Sequence, residues 1–313
     1  MNHVVTDGLG AIQLICGLAD NYNKKLFPAV MTKPLELKYK ILIELLTPFY
    51  ALVILYRILI VLKPVNTIFK TEKPISGSTL VALSDKIDFK HYNHINKYLK
   101  ISFNDLIASA VASAFKNFSR IVSDSNNIQT KKIPPYMLMV TPVGLTTLPK
   151  NLDNFDLCNN TTGLGNKIKL VDDEKEEIEI VSHDFGKVTR NVYLAKATKK
   201  LTDVMFNYLP YYIARLVIKN FCNNCDITIS NVPGPRENLV YCGSKVLDII
   251  PITTTGFSHV FTGILSYSGH FRIIVCFDKS LQLDPNQFLK CIDHELKKFS
   301  ENHRNYAEQK KNK

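Results

Sequence analysis

The sequence predicts an α/β fold with mixed sheets, and three observations carry that reading. Segments whose apolar residues recur at helical spacing alternate along the chain with segments of period two. One period-two run, residues 226–232 (DITISNV), stops at Pro233-Gly234-Pro235. Two further apolar runs, 260–267 and 270–277, are separated only by the turn pair Ser268-Gly269, a hairpin signal. With 313 residues, 46% of them apolar and 21% charged, the chain can bury a sizeable core. A length of this order corresponds to about two domains, and disorder is not its expected state.

Residues 2–8 read NHVVTDG. His3 precedes Asp7 by four residues, and Gly8 allows the backbone to turn where a side chain would clash. That arrangement suits a general base held by its own loop, so His3 is the candidate catalytic residue, with Asp7 and Gly8 supporting the loop. The spacing alone is weakly specific. Asp7 also reads as the N-cap of a following helix, in which Ala11, Ile12, Leu14, Ile15 and Leu18 recur at helical spacing up to about residues 21–23.

Residues 41–62 form a 22-residue stretch between Lys40 and Lys63, the most hydrophobic in the chain. It reaches the ~20 residues needed to span a bilayer. Glu44, Pro48 and Arg57 interrupt it, and a central charge costs on the order of 3 kcal/mol on insertion scales. An interfacial or re-entrant helix fits better than a span, and a buried core helix is the alternative. Residues 64–78, with Pro64, Pro74 and Gly77, read as a linker. They place a boundary near residue 75, with units 1–75 and 76–313.

Beyond the boundary, 79–84 reads as a strand and 85–99 as a helix. Asn104 opens a further helix as a ready N-cap, with Val111, Ala114, Phe115 and Phe118 on its apolar face. Residues 136–141 and 167–171 are short strand candidates, and the acidic run 172–179 reads as a solvated loop or edge. A helical region spans about 188–220. After the 226–232 strand come strands at 246–253, 260–267 and 270–277. The last helix has Asp284 as N-cap, Pro285 in its first turn, and Phe288, Ile292, Leu296 and Phe299 on one face. The tail beyond residue 301 is polar and reads as frayed.

A formal charge of +11, from 39 basic against 28 acidic residues, favours an anionic partner: nucleic acid, a membrane surface or a phosphorylated ligand. The basic residues are scattered rather than set in a stripe with interleaved aromatics, which argues against nucleic acid. Seven cysteines, an odd number, do not form a disulfide framework and suit a reducing, cytosolic setting. Cys222 and Cys225 have the spacing of half a zinc site with no second pair, so no metal is expected. No signal-peptide pattern opens the sequence. His183-Asp184-Phe185-Gly186 matches a kinase triplet without any kinase context and is read as coincidence; His259 and His270 read as packed or surface residues at strand ends.

Four segments in order carry a resemblance: NHVVTDG at 2–8, NDLIASAVASAF at 104–115, GLGNKIKLV at 163–171, and SNVPGP at 230–235 with CGSKVLDIIPI and the SYSGHFRI hairpin after it. Together they resemble the wax ester synthase/diacylglycerol acyltransferase family over nearly the whole chain, most specifically over 226–299. The resemblance implies a chloramphenicol acetyltransferase-like fold, two similar α/β halves with mixed sheets around a tunnel. It also implies that the N-terminal half is incomplete, because the family places strands ahead of the His motif. Residues 1–75 would then be the end of the N-terminal acyltransferase half, and 76–313 the C-terminal acyltransferase domain.

On this resemblance, His3 matches the second histidine of a His-His-x3-Asp-Gly motif, the general base, with Asn2 in place of the first. Asn104, Asp105, Ser230, Asn231 and Gly234 would line the substrate site. The implied reaction moves a fatty acyl group from acyl-CoA to diacylglycerol or a long-chain alcohol, without a covalent enzyme intermediate. Acyl-CoA is a substrate and no cofactor is implied. The implied setting is a membrane surface, on the cytosolic face of the endoplasmic reticulum or plasma membrane. The alternative is a non-catalytic, membrane-associated half-protein that binds lipid or a partner.

Overall fold

β-branched and aromatic residues in period two build one large sheet, and a computed structural model gives its order. The structure describes residues 6–23, 36–65, 67–71, 73–125, 133–145, 158–255 and 258–311. The helices are α1 (Gly8–Gly17), α2 (Leu37–Tyr56, continued by a π-helical turn over Arg57–Val61), α3 (Phe89–Leu99), α4 (Phe103–Ser125), α5 (Glu174–Thr189), α6 (Val192–Tyr208), α7 (Tyr211–Asn224) and α8 (Pro285–Lys311). The strands are β1 (Thr79–Leu83), β2 (Ile87–Asp88), β3 (Tyr136–Gly144), β4 (Thr161–Lys169), β5 (Ile227–Val232), β6 (Val240–Tyr241), β7 (Ser244–Lys245), β8 (Val260–Tyr267) and β9 (His270–Asp278).

The main sheet runs β1, β9, β8, β5, β3, β4, with β2 paired to β9, while β6 and β7 form a separate small hairpin. It is mixed, as expected: β5 lies parallel to both β3 and β8, and the other pairs are antiparallel. The predicted hairpin is present, with Tyr267 opposite His270 and positive φ at Ser268 and Gly269. Helices α4, α5 and α8 cover one face. Helix α4 is buried almost all round, and its alanines, Ala108, Ala110, Ala112 and Ala114, let neighbouring elements approach closely.

The core centres on a residue from the stretch expected to be a linker. Phe69 is 1% exposed, and its ring lies 5.1 Å from those of Phe115 and Phe288 and 5.4 Å from that of Phe277. Proline and polar residues correctly marked irregular backbone there, but a single aromatic side chain decides burial. Thr67 and Lys70 reinforce the attachment, donating to Asp226 Oδ1 (2.7 Å) and to the Asn224 carbonyl (2.8 Å).

Other expectations change in detail. The acidic run is the start of α5: Asp173 caps it by accepting from Glu176 N–H at 2.8 Å, and Glu174, Glu176 and Glu177 sit at the positive end of the helix. The 188–220 region is three helices, with α6 ending before Pro210, which has no N–H to continue it. Residues 246–253 form no strand, because β8 already has β9 and β5 on its two edges. The hydrophobic stretch is helical but not a core helix: Ile43 and Ile54 are buried, while most of its length is exposed. Among the described residues, Leu37–Val61 is the one helix long and apolar enough to cross a membrane.

Candidate functional site

His3 lies outside the described residues; its loop is described from Thr6 onward. Thr6 and Asp7 are almost fully buried. Asp7 caps α1 by accepting from Gly10 N–H at 3.0 Å, as the sequence suggested. Its second oxygen accepts from the Asn160 N–H (3.0 Å) and the Thr161 hydroxyl (3.1 Å), and the Thr6 hydroxyl donates to the Cys158 carbonyl. The loop is thus tied to the first residues of β4, more than 150 positions away.

Gly8 joins the loop to the SNVPGP segment. A Cβ added at Gly8 would stand 2.9 Å from Val232 Cγ2, so only hydrogen allows the loop to rest on the end of β5. Leu9 in turn packs against Gly144 at the end of β3, where an added Cβ would lie 3.0 Å from Leu9 Cδ1. The Asp7-Gly8 loop therefore sits at the carboxyl ends of the parallel strands β3 and β5. Open α/β sheets place their ligands in this position.

The N-terminus of α4 brings two more candidates together. Ser102 caps the helix, not Asn104: the Ser102 hydroxyl accepts from Asp105 N–H (3.1 Å), and Asp105 Oδ2 accepts from Ser102 N–H (2.8 Å). This reciprocal box frees the Asn104 side chain. Asn231 Nδ2 donates to Asn104 Oδ1 at 2.6 Å, so the two asparagines form a bridge between α4 and β5, next to Val232. Ser230 is half-buried beside them, opposite Gly263 of β8.

Asp105 and Gly234 lie in the packing behind this face. Asp105 is fully buried and accepts a charge-assisted bond from Arg190 in addition to its part in the capping box. Gly234 donates its N–H to Ser266 Oγ (3.1 Å), and a Cβ there would come 2.0 Å from the Ser266 carbonyl oxygen. Gly186, in the His183-Asp184-Phe185-Gly186 tetrad, is where the Arg190 side chain crosses α5; an added Cβ would lie 2.1 Å from Arg190 Nη2. The sequence did not single out Ser102, Thr161, Arg190 or Val232. A serine three residues before Asp105 was the one legible signal among them.

His259 is buried, and His270 and His183 are exposed. Cys225 is buried and its thiol donates to the Phe221 carbonyl. Among the described residues no group of three His, Cys, Asp or Glu side chains gathers to hold a metal.

Residues 168–300 match the family model described as WS/DGAT C-terminal domain. That stretch is similar to the WS/DGAT C-terminal domain. It holds the SNVPGP segment, the β8-β9 hairpin and most of α8. Among solved structures, the wax ester synthase/diacylglycerol acyltransferase from Marinobacter aquaeolei VT8 aligns over 95% of this chain and 64% of its own, with a TM-score of 0.59 at 14% identity. The epimerization domain from the third module of tyrocidine synthetase B aligns over 96% of this chain and 68% of its own, with a TM-score of 0.58 at 10% identity. The starter condensation domain of rhizomide synthetase, solved as a mutant, covers 96% and 64%, with a TM-score of 0.55 at 9% identity. These likenesses show the fold, the chloramphenicol acetyltransferase-like α/β architecture that the WS/DGAT resemblance implied. The chain spans 64% of the length of the Marinobacter protein. No curated protein sequence matches it.

Proposed function

We propose that this protein is an O-acyltransferase of the WS/DGAT type that moves a fatty acyl group from acyl-CoA to diacylglycerol or a long-chain alcohol, with His3 as general base. The supporting observation is the joint between Gly8 and Val232, which sets the loop following His3 against the SNVPGP strand end and the Asn104-Asn231 pair. Residues 1–75 act here as the end of an N-terminal half and 76–313 as the C-terminal domain.

In the proposed step the neutral imidazole of His3 takes the acceptor's hydroxyl proton as its oxygen attacks the thioester carbonyl carbon. The tetrahedral intermediate collapses, the C–S bond breaks, and the CoA thiolate receives the proton from the imidazolium. The products are ester and free CoA. Asp7 and Gly8 hold the loop, and the amide N–H groups of Asn104 orient the acceptor oxygen. Acyl-CoA enters as a substrate and no cofactor takes part. Both acceptors partition into lipid, so the reaction is set at a membrane surface, on the cytosolic face of the endoplasmic reticulum or plasma membrane, and the exposed apolar helix Leu37–Val61 supports that setting.

The test is an assay of the purified chain with a long-chain acyl-CoA and either diacylglycerol or hexadecanol in mixed micelles, reading CoA release and ester by chromatography. Ester from at least one acceptor is expected, abolished by His3→Ala with the circular dichroism spectrum unchanged. A folded chain that makes no ester with either acceptor overturns the proposal and leaves the lipid- or partner-binding reading.

A further inference from the structure

Helices α2 and α6 run antiparallel, side by side. Glu44 pairs with Lys200, the rings of Tyr50 and Tyr193 stack with centroids 6.4 Å apart, and Ile54 is buried with Leu194, Ala195 and Ala197. This register sets the first turns of α2 beside the last turns of α6, where the chain turns at Pro210 into α7. The exposed side chains at that end include large apolar or aromatic ones, Leu37 and Leu45 on α2, Val204 and Tyr208 on α6, Tyr211 and Tyr212 on α7, with Lys38 and Lys40 among them. Tyr208 is 81% exposed, and Tyr211 and Tyr212 are each 71% exposed.

Between α2 and α6 lies a recess of about 590 Å³, lined by Lys40, Lys196, Lys199 and Lys200 together with Glu44, Asp203 and Asn160. Lys199 pairs with Asp203 and Lys200 with Glu44. Lys40 and Lys196 have no carboxylate partner among the described residues, so the recess is net positive. Asn160 is the residue whose backbone N–H is accepted by Asp7, which puts the recess next to the loop that follows His3.

An apolar face rimmed by lysines has the composition of a helix lying in a lipid interface, with tyrosines at headgroup level. The net positive recess beside this face complements the anionic headgroups of such a surface. We infer that α2, α6 and α7 form one docking face for an anionic phospholipid bilayer, and that the lysine recess receives the lipid phosphate. The inference extends the membrane setting proposed above and rests on it, but it does not depend on acyl transfer. Docking in this way would present the lipid surface directly to the Asp7-Gly8 loop.

The experiment is flotation of the purified chain with vesicles of phosphatidylcholine alone or of phosphatidylcholine with phosphatidylserine. Wild type is expected to bind the anionic vesicles more tightly, and the preference to fade as added salt shortens the Debye length from about 10 Å toward about 3 Å. Lys40→Glu/Lys196→Glu breaks no ion pair seen in the structure, and should weaken binding to anionic vesicles by at least about tenfold while leaving phosphatidylcholine binding unchanged. Val204→Asp/Tyr208→Asp/Tyr212→Asp should weaken binding to both. Circular dichroism and the melting temperature confirm that each variant folds.

Wild-type binding that ignores lipid charge, or a lysine variant that binds anionic vesicles like wild type, overturns the recess. An α6-α7 variant that binds like wild type overturns the shared face and leaves α2 alone. A wild-type dimer that binds no vesicle shows that a second copy covers the face, and overturns the membrane setting with it. An acyltransfer assay that fails while vesicle binding follows the expected pattern removes the reaction and keeps this inference.

Discussion

Replacing Asp7 with alanine removes a carboxylate that, among the described residues, holds three donors, one from α1 and two from the start of β4. These are the Gly10 N–H at 3.0 Å, the Asn160 N–H at 3.0 Å and the Thr161 hydroxyl at 3.1 Å. Loss of an N-cap costs about 1 kcal/mol. Asn160 and Thr161 are only half-buried and recover some water, so each unmet donor falls at the low end of its range, about 1 kcal/mol. The expected total is about 3 kcal/mol, a large share of a typical stability of about 5–15 kcal/mol. Asp7→Asn keeps an acceptor for Gly10, and the Thr161 hydroxyl can turn to accept the new amide, leaving Asn160 N–H unmet. Its cost should be about a third of that of alanine, about 1 kcal/mol. Urea unfolding followed by far-ultraviolet circular dichroism measures both. An alanine variant within about 0.5 kcal/mol of wild type, the range of an ordinary surface change, would refute the account. Equal costs for asparagine and alanine would refute the division between cap and β4.

Gly234→Ala drives a methyl group to 2.0 Å from the Ser266 carbonyl, so the SNVPGP turn must lift from β8; a loss of about 1–3 kcal/mol is expected, and an unchanged melting temperature would refute it. Burial holds the Glu177 carboxyl above the usual range despite the Ser113 hydroxyl and Lys116 beside it. A carboxyl that ionises less readily folded than unfolded contributes most at low pH, and this contribution is lost as pH rises from about 4.5 through the raised folded value. Wild type should therefore lose stability relative to Glu177→Gln over that rise, and parallel urea midpoints across it would count against the assignment. Burial also pushes the Cys16 thiol up to about 11. At pH 8 an aromatic disulfide reagent should label exposed Cys158 and Cys242 in the native protein, and Cys16 and Cys276 only after unfolding; native labelling of Cys16 at the rate of Cys158 would contradict the packing around α1.

Sequence reading succeeded where one local pattern dominates. The period-two run ending at Pro233-Gly234-Pro235 is β5, the Ser268-Gly269 pair is the hairpin turn, and Phe288, Ile292, Leu296 and Phe299 all face the core from α8. It failed where two rules compete. Net charge suggested solvation for 172–179, but the same residues suit the first turn of a helix, and Glu177 is buried because α4 offers Ser113 and Lys116 opposite it. Asn104 reads as a cap by residue type, but Ser102 two positions earlier takes that role, because the Ser102-Asp105 spacing is that of a capping box. The burial of Phe69 and the Gly8-Val232 contact have no local signal at all. Both are set by residues far away in the chain, and spacing along the sequence cannot report them.

The long-range ties of α1 bear on how the chain comes to be folded. Its buried residues, Ile12 and Cys16, pack with Leu239, Leu265 and Tyr267, and the Ile15 carbonyl accepts from the Tyr241 hydroxyl. At a synthesis rate of about 5–20 residues per second, α1 leaves the ribosome on the order of ten to fifty seconds before those partners exist. During that interval an apolar ten-residue helix, too short to be stable alone, lacks these partners to bury against. The segment bearing the proposed base is made well before the residues that fix it in place. Truncations near residue 265 should therefore expose α1 to proteolysis.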